Sequence, residues 1–195
     1  MTGLPDLRRE TIALVGLMGS GKSSIGRRLA GALDLPFKDA DAEIEEAAGR
    51  SISEIFETYG EDAFRSGERR VISRLLEGPP HVLATGGGAF LDPETRALIA
   101  LKTVSVWLKA DLSVLAKRVG RRNNRPLVEG KDPLTVLQAQ AAERYPLYGE
   151  ADIIIETGEN RHGVAVQAIL EALASRAAER APGQAPQKAM GRAGS

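Results

Sequence analysis

The stretch LVGLMGSGKSSIG, residues 14–26, sets an apolar run against Gly16, Gly19, Gly21 and Lys22 before apolar residues return at helical spacing. Gly16, Gly21, Lys22 and Ser23 satisfy the pattern GxxxxGK[ST] without deviation. The context agrees with the pattern. Residues 12–15 form a continuous apolar run suited to a strand buried on both faces, and Ile25, Leu29 and Leu33 recur every fourth residue as on a helix. A glycine-rich turn between strand and helix lets successive backbone N–H groups curl around phosphate oxygens. The helix N-terminus adds the positive end of its dipole, and the lysine supplies a mobile charge for the β and γ phosphates. Gly19, Ser20, Gly21, Lys22, Ser23 and Ser24 are thus candidate nucleotide-binding residues, with Lys22 also a catalytic candidate and the Ser23 hydroxyl a candidate ligand of Mg²⁺.

Working outward from this turn, Pro36 ends the helix before a second short strand around residues 37–38, which delivers the triplet DAD at 39–41. Helical patterns follow over 42–48, 51–59 and 61–76, the last with Phe64, Val71, Ile72, Leu75 and Leu76 on one face. HVLATGGG reads as a third strand running into Gly86, Gly87 and Gly88, TVSVWLKA as a fourth and DIIIET as a fifth, with a helix begun near Asp92 and Pro93 between the third and fourth. Strands alternating with helices imply an α/β fold with a parallel sheet covered on both faces, because parallel neighbours need crossover connections.

The 195 residues fit one domain, and 43% hydrophobic with 27% charged residues are ordinary globular proportions. Twenty-six basic residues balance 26 acidic ones, so no overall field favours nucleic acid or an anionic membrane. Cysteine is absent, which excludes disulfides, thiolate metal sites and cysteine nucleophiles. With no apolar signal core in MTGLPDLRRE and no run of membrane-spanning length, the expected location is cytoplasmic. Residues 1–10 read as an N-terminal extension and 11–174 as the domain, while residues 175–195, rich in Ala, Gly, Pro and charge, are expected to be disordered. The arginine-rich interval 120–131 lacks an apolar period and reads as a mobile lid or a solvated loop.

A GTPase would need motifs of the NKxD and DxxG type, and neither occurs. A motor ATPase would place an acid at a strand end near the glycine turn. Glu156 mimics one on the last strand, where a plain strand-end role is the better reading, and the third strand ends in Thr85 and glycines instead. Asp39 and Asp41, two apart at a strand end, can both face the crevice beyond the strand ends, one organising metal-bound water and the other meeting a hydroxyl. Alternatively Asp41 only caps the next helix. His81 and His162 show no partner pattern for metal or catalysis.

GLMGSGKSSIGRRLA, DADAEIEEAAGRSISEIFETYGEDAFRSGE, GGGA, RNNRPL and ERYPLY, in this order and spacing, resemble the shikimate kinase family over residues 11–173. Only Met18 and Ser24 depart visibly, at positions often held by proline and threonine. The resemblance implies a three-layer P-loop NTPase fold with a five-stranded parallel sheet in the order 2-3-1-4-5, an acceptor-binding segment at about 41–77 and a lid at about 120–131. It implies transfer of phosphate from ATP with Mg²⁺ to the 3-hydroxyl of shikimate, in aromatic amino-acid biosynthesis, by a monomer without nucleic-acid or membrane partners. Asp41 would be the base and contact substrate hydroxyls, with Asp39 near Mg²⁺ through water. Arg65 and Arg144 would hold the shikimate carboxylate, Gly87 and Gly88 would supply backbone contacts, Arg125 would reach the ATP phosphates, and Arg118 and the region around Arg161 would flank adenine. A planar carboxylate suits guanidinium forks, and Glu68, three residues after Arg65 on a helix, can hold that arginine in place. A related small-metabolite kinase such as a gluconate kinase could share every phosphate-binding residue, and a regulatory module could keep the turn without turnover.

Overall fold

The computed structural model describes residues 9–120, 132–158 and 162–180. Its sheet has five strands in the order β2-β3-β1-β4-β5: β1 Thr11–Val15, β2 Phe37–Asp39, β3 Val82–Ala84, β4 Thr103–Ala110 and β5 Ile153–Thr157. Every neighbouring pair is parallel, with Ile12 beside Val82 and Val104 in the centre. The expected order and pairing therefore hold.

All five residues of β1 are buried, because helices cover both faces. Ile12 and Leu14 point into one layer with Ile25, Leu29 and Leu33 of α1 (Lys22–Leu33) and Ala165, Val166, Ile169 and Leu173 of α7 (His162–Arg180). Ala13 and Val15 point the other way, where the layer also holds Ile72 of α3 (Ile52–Leu75), Ile99 of α4 (Pro93–Lys102), Leu115 of α5 (Leu112–Gly120) and Leu137 of α6 (Pro133–Tyr148). The two-residue alternation of a strand thus divides the core into two halves. A third, smaller core of Ile44, Ile55, Phe64 and Val71 joins α2 (Ala40–Ala48) to α3.

Three local features differ from the sequence reading. The helices expected over 51–59 and 61–76 form one run, α3, bent at Gly60, where φ is 79° and ψ 175°; Ser51 starts it with a capping box to Glu54. Helix α2 begins at Ala40 rather than residue 42, so β2 stops at Asp39, which caps the helix by accepting from the Asp41 N–H at 3.2 Å. Asp41 is neither a strand-end residue nor the cap; it sits in the first turn. The expected disorder also begins too early, since α7 is helical to Arg180. Arg176 donates to Asp152 Oδ1 at 2.5 Å, and Asp152 Oδ2 accepts from both the N–H and the hydroxyl of Ser105 on β4, at 2.9 and 2.8 Å. Composition could not show these contacts, which form only once β4, β5 and α7 are side by side. Residues 181–195 and the interval 121–131 lie outside the described residues, and so do Arg125 and Arg161. Among the described residues no helix is long and apolar enough to cross a membrane.

Removing residues 175–195 should lower the unfolding free energy by about 1–2 kcal/mol, the usual worth of a partly buried hydrogen bond to a charged group. Arg176→Ala should reproduce most of that loss in urea titration. Truncation without effect would show that Arg176 adds nothing to Asp152.

Candidate active site

The carboxyl ends of β1 and β3 meet at the site, since a parallel sheet gathers its strand ends and the loops that follow them on one edge. After β1 the chain turns through Gly16, Gly19 and Gly21, with φ of 139°, 79° and 94°. At Gly16 a side chain is excluded twice over, because a Cβ would also lie 2.8 Å from the Leu108 carbonyl oxygen. Lys22 Nζ donates to the carbonyls of Gly16 at 2.7 Å and Leu17 at 3.1 Å, so the charge arches over the turn. The Ser23 hydroxyl donates to Asp39 Oδ2 at 2.7 Å, which places a hydroxyl and a carboxylate together at the start of α1. The Ser20 side chain is buried. Ser24 accepts from Arg28 through its carbonyl.

Arg118 on α5 crosses from the other side, donating to Gly19 O at 3.2 Å and Gly158 O at 2.9 Å. The His162 ring lies beside Gly21, with Nε2 3.4 Å from where a Cβ would stand. Partial burial, together with Arg28 and Arg118, holds the His162 pKa below its ordinary value, so the ring beside the turn is neutral near pH 7. Sequence reasoning assigns this residue no role of its own. A histidine opening the last helix has no motif, and it reaches the turn only because α7 packs against α1.

After β3 come Thr85, whose hydroxyl donates to Leu14 O at 3.0 Å, and then the three glycines. Each glycine accommodates a different functional group. A Cβ on Gly86 would meet Glu68 Oε1 at 2.6 Å and Asp41 Oδ1 at 2.9 Å, and one on Gly88 would fall 2.5 Å from Arg65 Nη1. At Gly87 the Met18 N–H group of the glycine turn lies 3.6 Å from the same construction and Arg144 Nη1 3.8 Å. The structure therefore brings Asp41, Arg65, Gly87, Gly88 and Arg144 into one cluster beside the turn.

Arg65 is fixed from two sides. It donates to Glu68 Oε2 at 2.7 Å and to Glu61 Oε1 at 3.1 and 3.3 Å, and lies 5.1 Å over the Phe64 ring. Phe64 is buried and packs on Phe56 at 4.6 Å, a core role for the pair. Arg144 donates to Gly87 O at 3.2 Å. So does Tyr148, one helical turn further along α6, at 2.5 Å. Tyr148 is the second residue that sequence reasoning missed; ERYPLY contains it, yet only the folded chain aims its hydroxyl at the glycines. Glu156, by contrast, is exposed on the edge strand β5 beside Lys109, away from the turn. His81 is buried against Thr11 and Pro79 O.

Chemically, one side of this arrangement suits phosphate groups and the other suits a small anionic molecule bearing hydroxyls. Residues 18–174 match the family model described as shikimate kinase. The chain belongs to the shikimate kinase family. A shikimate kinase of Caulobacter vibrioides (strain NA1000 / CB15N) is 68% identical over 170 residues, spanning 87% of this chain and 85% of that relative. The solved shikimate kinase from Acinetobacter baumannii in complex with shikimate superposes with a TM-score of 0.83 at 38% identity, covering 86% of this chain and 94% of that one. A gluconokinase from Sinorhizobium meliloti 1021 superposes with a TM-score of 0.61 at 23% identity, covering 88% and 95%, a likeness of fold alone. The P-loop NTPase fold expected from the sequence is thus the fold of the shikimate kinase family.

Glu68 carries the main electrostatic tension of the site. Its side chain is 2% exposed, and burial raises its pKa more than the ion pair with Arg65 lowers it, with Asp41 and Asp92 raising it further. A carboxyl that binds its proton more tightly when folded contributes stability fully below the unfolded value of 4.5 and loses it as pH rises through the folded value. Urea unfolding from about pH 4.5 to about pH 8 should therefore show wild type losing ground to Glu68→Gln as pH increases. A difference that stays level, or moves towards wild type, contradicts a raised Glu68.

Proposed function

We propose that the chain transfers the γ-phosphoryl group of ATP to the 3-hydroxyl of shikimate, giving shikimate 3-phosphate and ADP for aromatic amino-acid biosynthesis. The observation that carries this reading is the cluster at Gly86–Gly88, where two guanidinium groups and the Asp41 carboxylate stand against the glycine turn. Family membership and the A. baumannii structure, in complex with shikimate, support the choice of acceptor.

ATP binds with its phosphates along the turn from Gly19 to Ser24. Lys22 turns from the Gly16 and Leu17 carbonyls to the β and γ phosphates, and Arg118 and His162 border the nucleotide beyond Gly21. Arg65 and Arg144 grip the acceptor carboxylate as planar forks, and the backbone of Gly87 and Gly88 lines the same pocket. With the ring held there, its hydroxyl faces Asp41, which orients the O–H and takes its proton as the acceptor oxygen bonds to the γ phosphorus. The bond from that phosphorus to the bridging oxygen breaks and ADP leaves. The hydroxyl and carboxylate pair of Ser23 and Asp39, hard oxygen donors 2.7 Å apart, fits Mg²⁺, which Ser23 would hold directly and Asp39 through water. When bound it neutralises phosphate charge.

Purified protein with ATP and Mg²⁺ should release ADP in proportion to shikimate, while gluconate and nucleoside monophosphates give only the acceptor-free rate. If one of those acceptors turns over and shikimate does not, the acceptor assignment is wrong. Asp41→Asn should leave ATP affinity near that of wild type and lower kcat by roughly 10²- to 10⁴-fold, the usual worth of a positioned base. Near-normal kcat in that variant would remove Asp41 from the proton transfer.

A further inference from the structure

The Gly87 carbonyl is held by two donors from successive turns of α6, the Tyr148 hydroxyl at 2.5 Å and Arg144 Nη1 at 3.2 Å. We propose that Tyr148 is a positioning residue, which keeps the Gly87 carbonyl satisfied so that Arg144 can leave it for the carboxylate of the acceptor. This rests on the functional reading above and deepens it, by assigning the grip on the acceptor to a pair of residues rather than to Arg144 alone.

Three observations lead to it. A carbonyl oxygen has two lone pairs and can accept both bonds, but the two are unequal. The phenol has a single O–H, which it spends here, whereas the guanidinium has five N–H donors in a fork and can turn them to a carboxylate. Tyr148 is also fully buried, whereas Arg144 is half-buried. The Tyr148 side chain is 1% exposed, with its ring 5.8 Å from Trp107 of β4 and 6.2 Å from Phe90 in the 3₁₀ turn after the glycines. Burial pushes its pKa up to about 12, so it remains a donor throughout the working range.

The third observation is the peptide unit itself. The C=O of Gly87 and the N–H of Gly88 belong to one plane and point in opposite directions. Fixing the carbonyl towards α6 turns the Gly88 N–H away from α6, on the residue whose Cα lies against the Arg65 guanidinium. The same phenol bond therefore fixes the direction of a backbone donor on the residue that Arg65 approaches, and releases Arg144. Without the hydroxyl, Arg144 is the remaining donor of the pair, and each binding event has to strip a half-buried carbonyl of its bond.

Tyr148→Phe keeps the ring in its aromatic setting and removes only the hydroxyl. Trp107 is the single tryptophan of the chain and neighbours Tyr148, so its fluorescence reports acceptor binding without turnover. The expected result is a shikimate Kd and KM raised about fivefold to tenfold, the worth of one hydrogen bond to a half-buried group, with KM for ATP unchanged. In an Arg144→Ala background the same change should have no further effect on shikimate affinity, because no arginine remains to be released. Tyr145→Phe, which alters the other tyrosine beside Trp107 at 5.0 Å, should leave shikimate affinity as in wild type. A merely structural Tyr148 would lower Tm and disturb both substrates equally in either background, and that result overturns the proposal. So does a Tyr148→Phe protein that binds shikimate as wild type does. If wild type itself shows no saturable response to shikimate, the functional reading falls, and this proposal with it.

Discussion

The constraint on which the site depends is how closely the backbone after β3 is approached by charged side chains. Glu68 and Asp41 reach the Cα of residue 86, and Arg65 reaches that of residue 88, at distances that leave no room for a methyl group. Glycine at these positions is therefore a matter of space rather than of unusual dihedral angles; Gly88, for instance, has φ −103° and ψ −14°. The close approach lets α3, α6 and the loop after β1 address one pocket. It also excludes water from the Glu68 carboxylate, the source of that residue's raised proton affinity.

The parallel sheet gives this cluster its location. In the order β2-β3-β1-β4-β5 the central strand β1 has β3 on one side and β4 on the other. The glycine turn after β1 is consequently flanked by the glycines after β3 and by the Trp107 side of β4, whose Cδ1 is 3.4 Å from the Cβ direction of Gly16. Tyr148 touches both neighbours, through Gly87 and through Trp107. A change in how α6 sits is therefore felt at the acceptor pocket and at the base of the nucleotide turn together.

How far the sequence could be read depended on whether a residue's role was set locally. The glycine turn, its strand and its helix follow from spacing within about a dozen positions, and Arg65 with Glu68 follows from helical i,i+3 geometry. The alternation of strands and helices gave a parallel sheet, while its order came from family likeness. Two misreadings are local, α3 running on through Gly60 and α2 starting at Ala40, and the rest are tertiary. Asp39 rather than Asp41 caps α2, because the helix starts at Ala40, and Asp39 also accepts from the Ser23 hydroxyl. Helix α7 outlasts its composition because Asp152 and Glu10 give Arg176 and Arg180 partners from distant parts of the chain. His162 and Tyr148 carry no motif, since nothing near them in sequence announces the groups they meet.

Among the described residues, four cations at the site have protein acceptors: Lys22 the carbonyls of Gly16 and Leu17, Arg118 those of Gly19 and Gly158, Arg65 two carboxylates, Arg144 the Gly87 carbonyl. Ligand binding is then an exchange of partners, and its net gain is the difference between a charged phosphate or carboxylate and the acceptor left behind. Neutral carbonyls are the weaker partners, so Arg118 and Arg144 gain most from an anion. Arg65 gives up least, because Glu68 is buried with it and a separated buried charge is costly. Arg65 accordingly acts as the fixed wall of the acceptor pocket and Arg144 as its moving one. That division follows from the partners alone: an arginine tied to carboxylates keeps its place, and one tied to a backbone carbonyl can be drawn away.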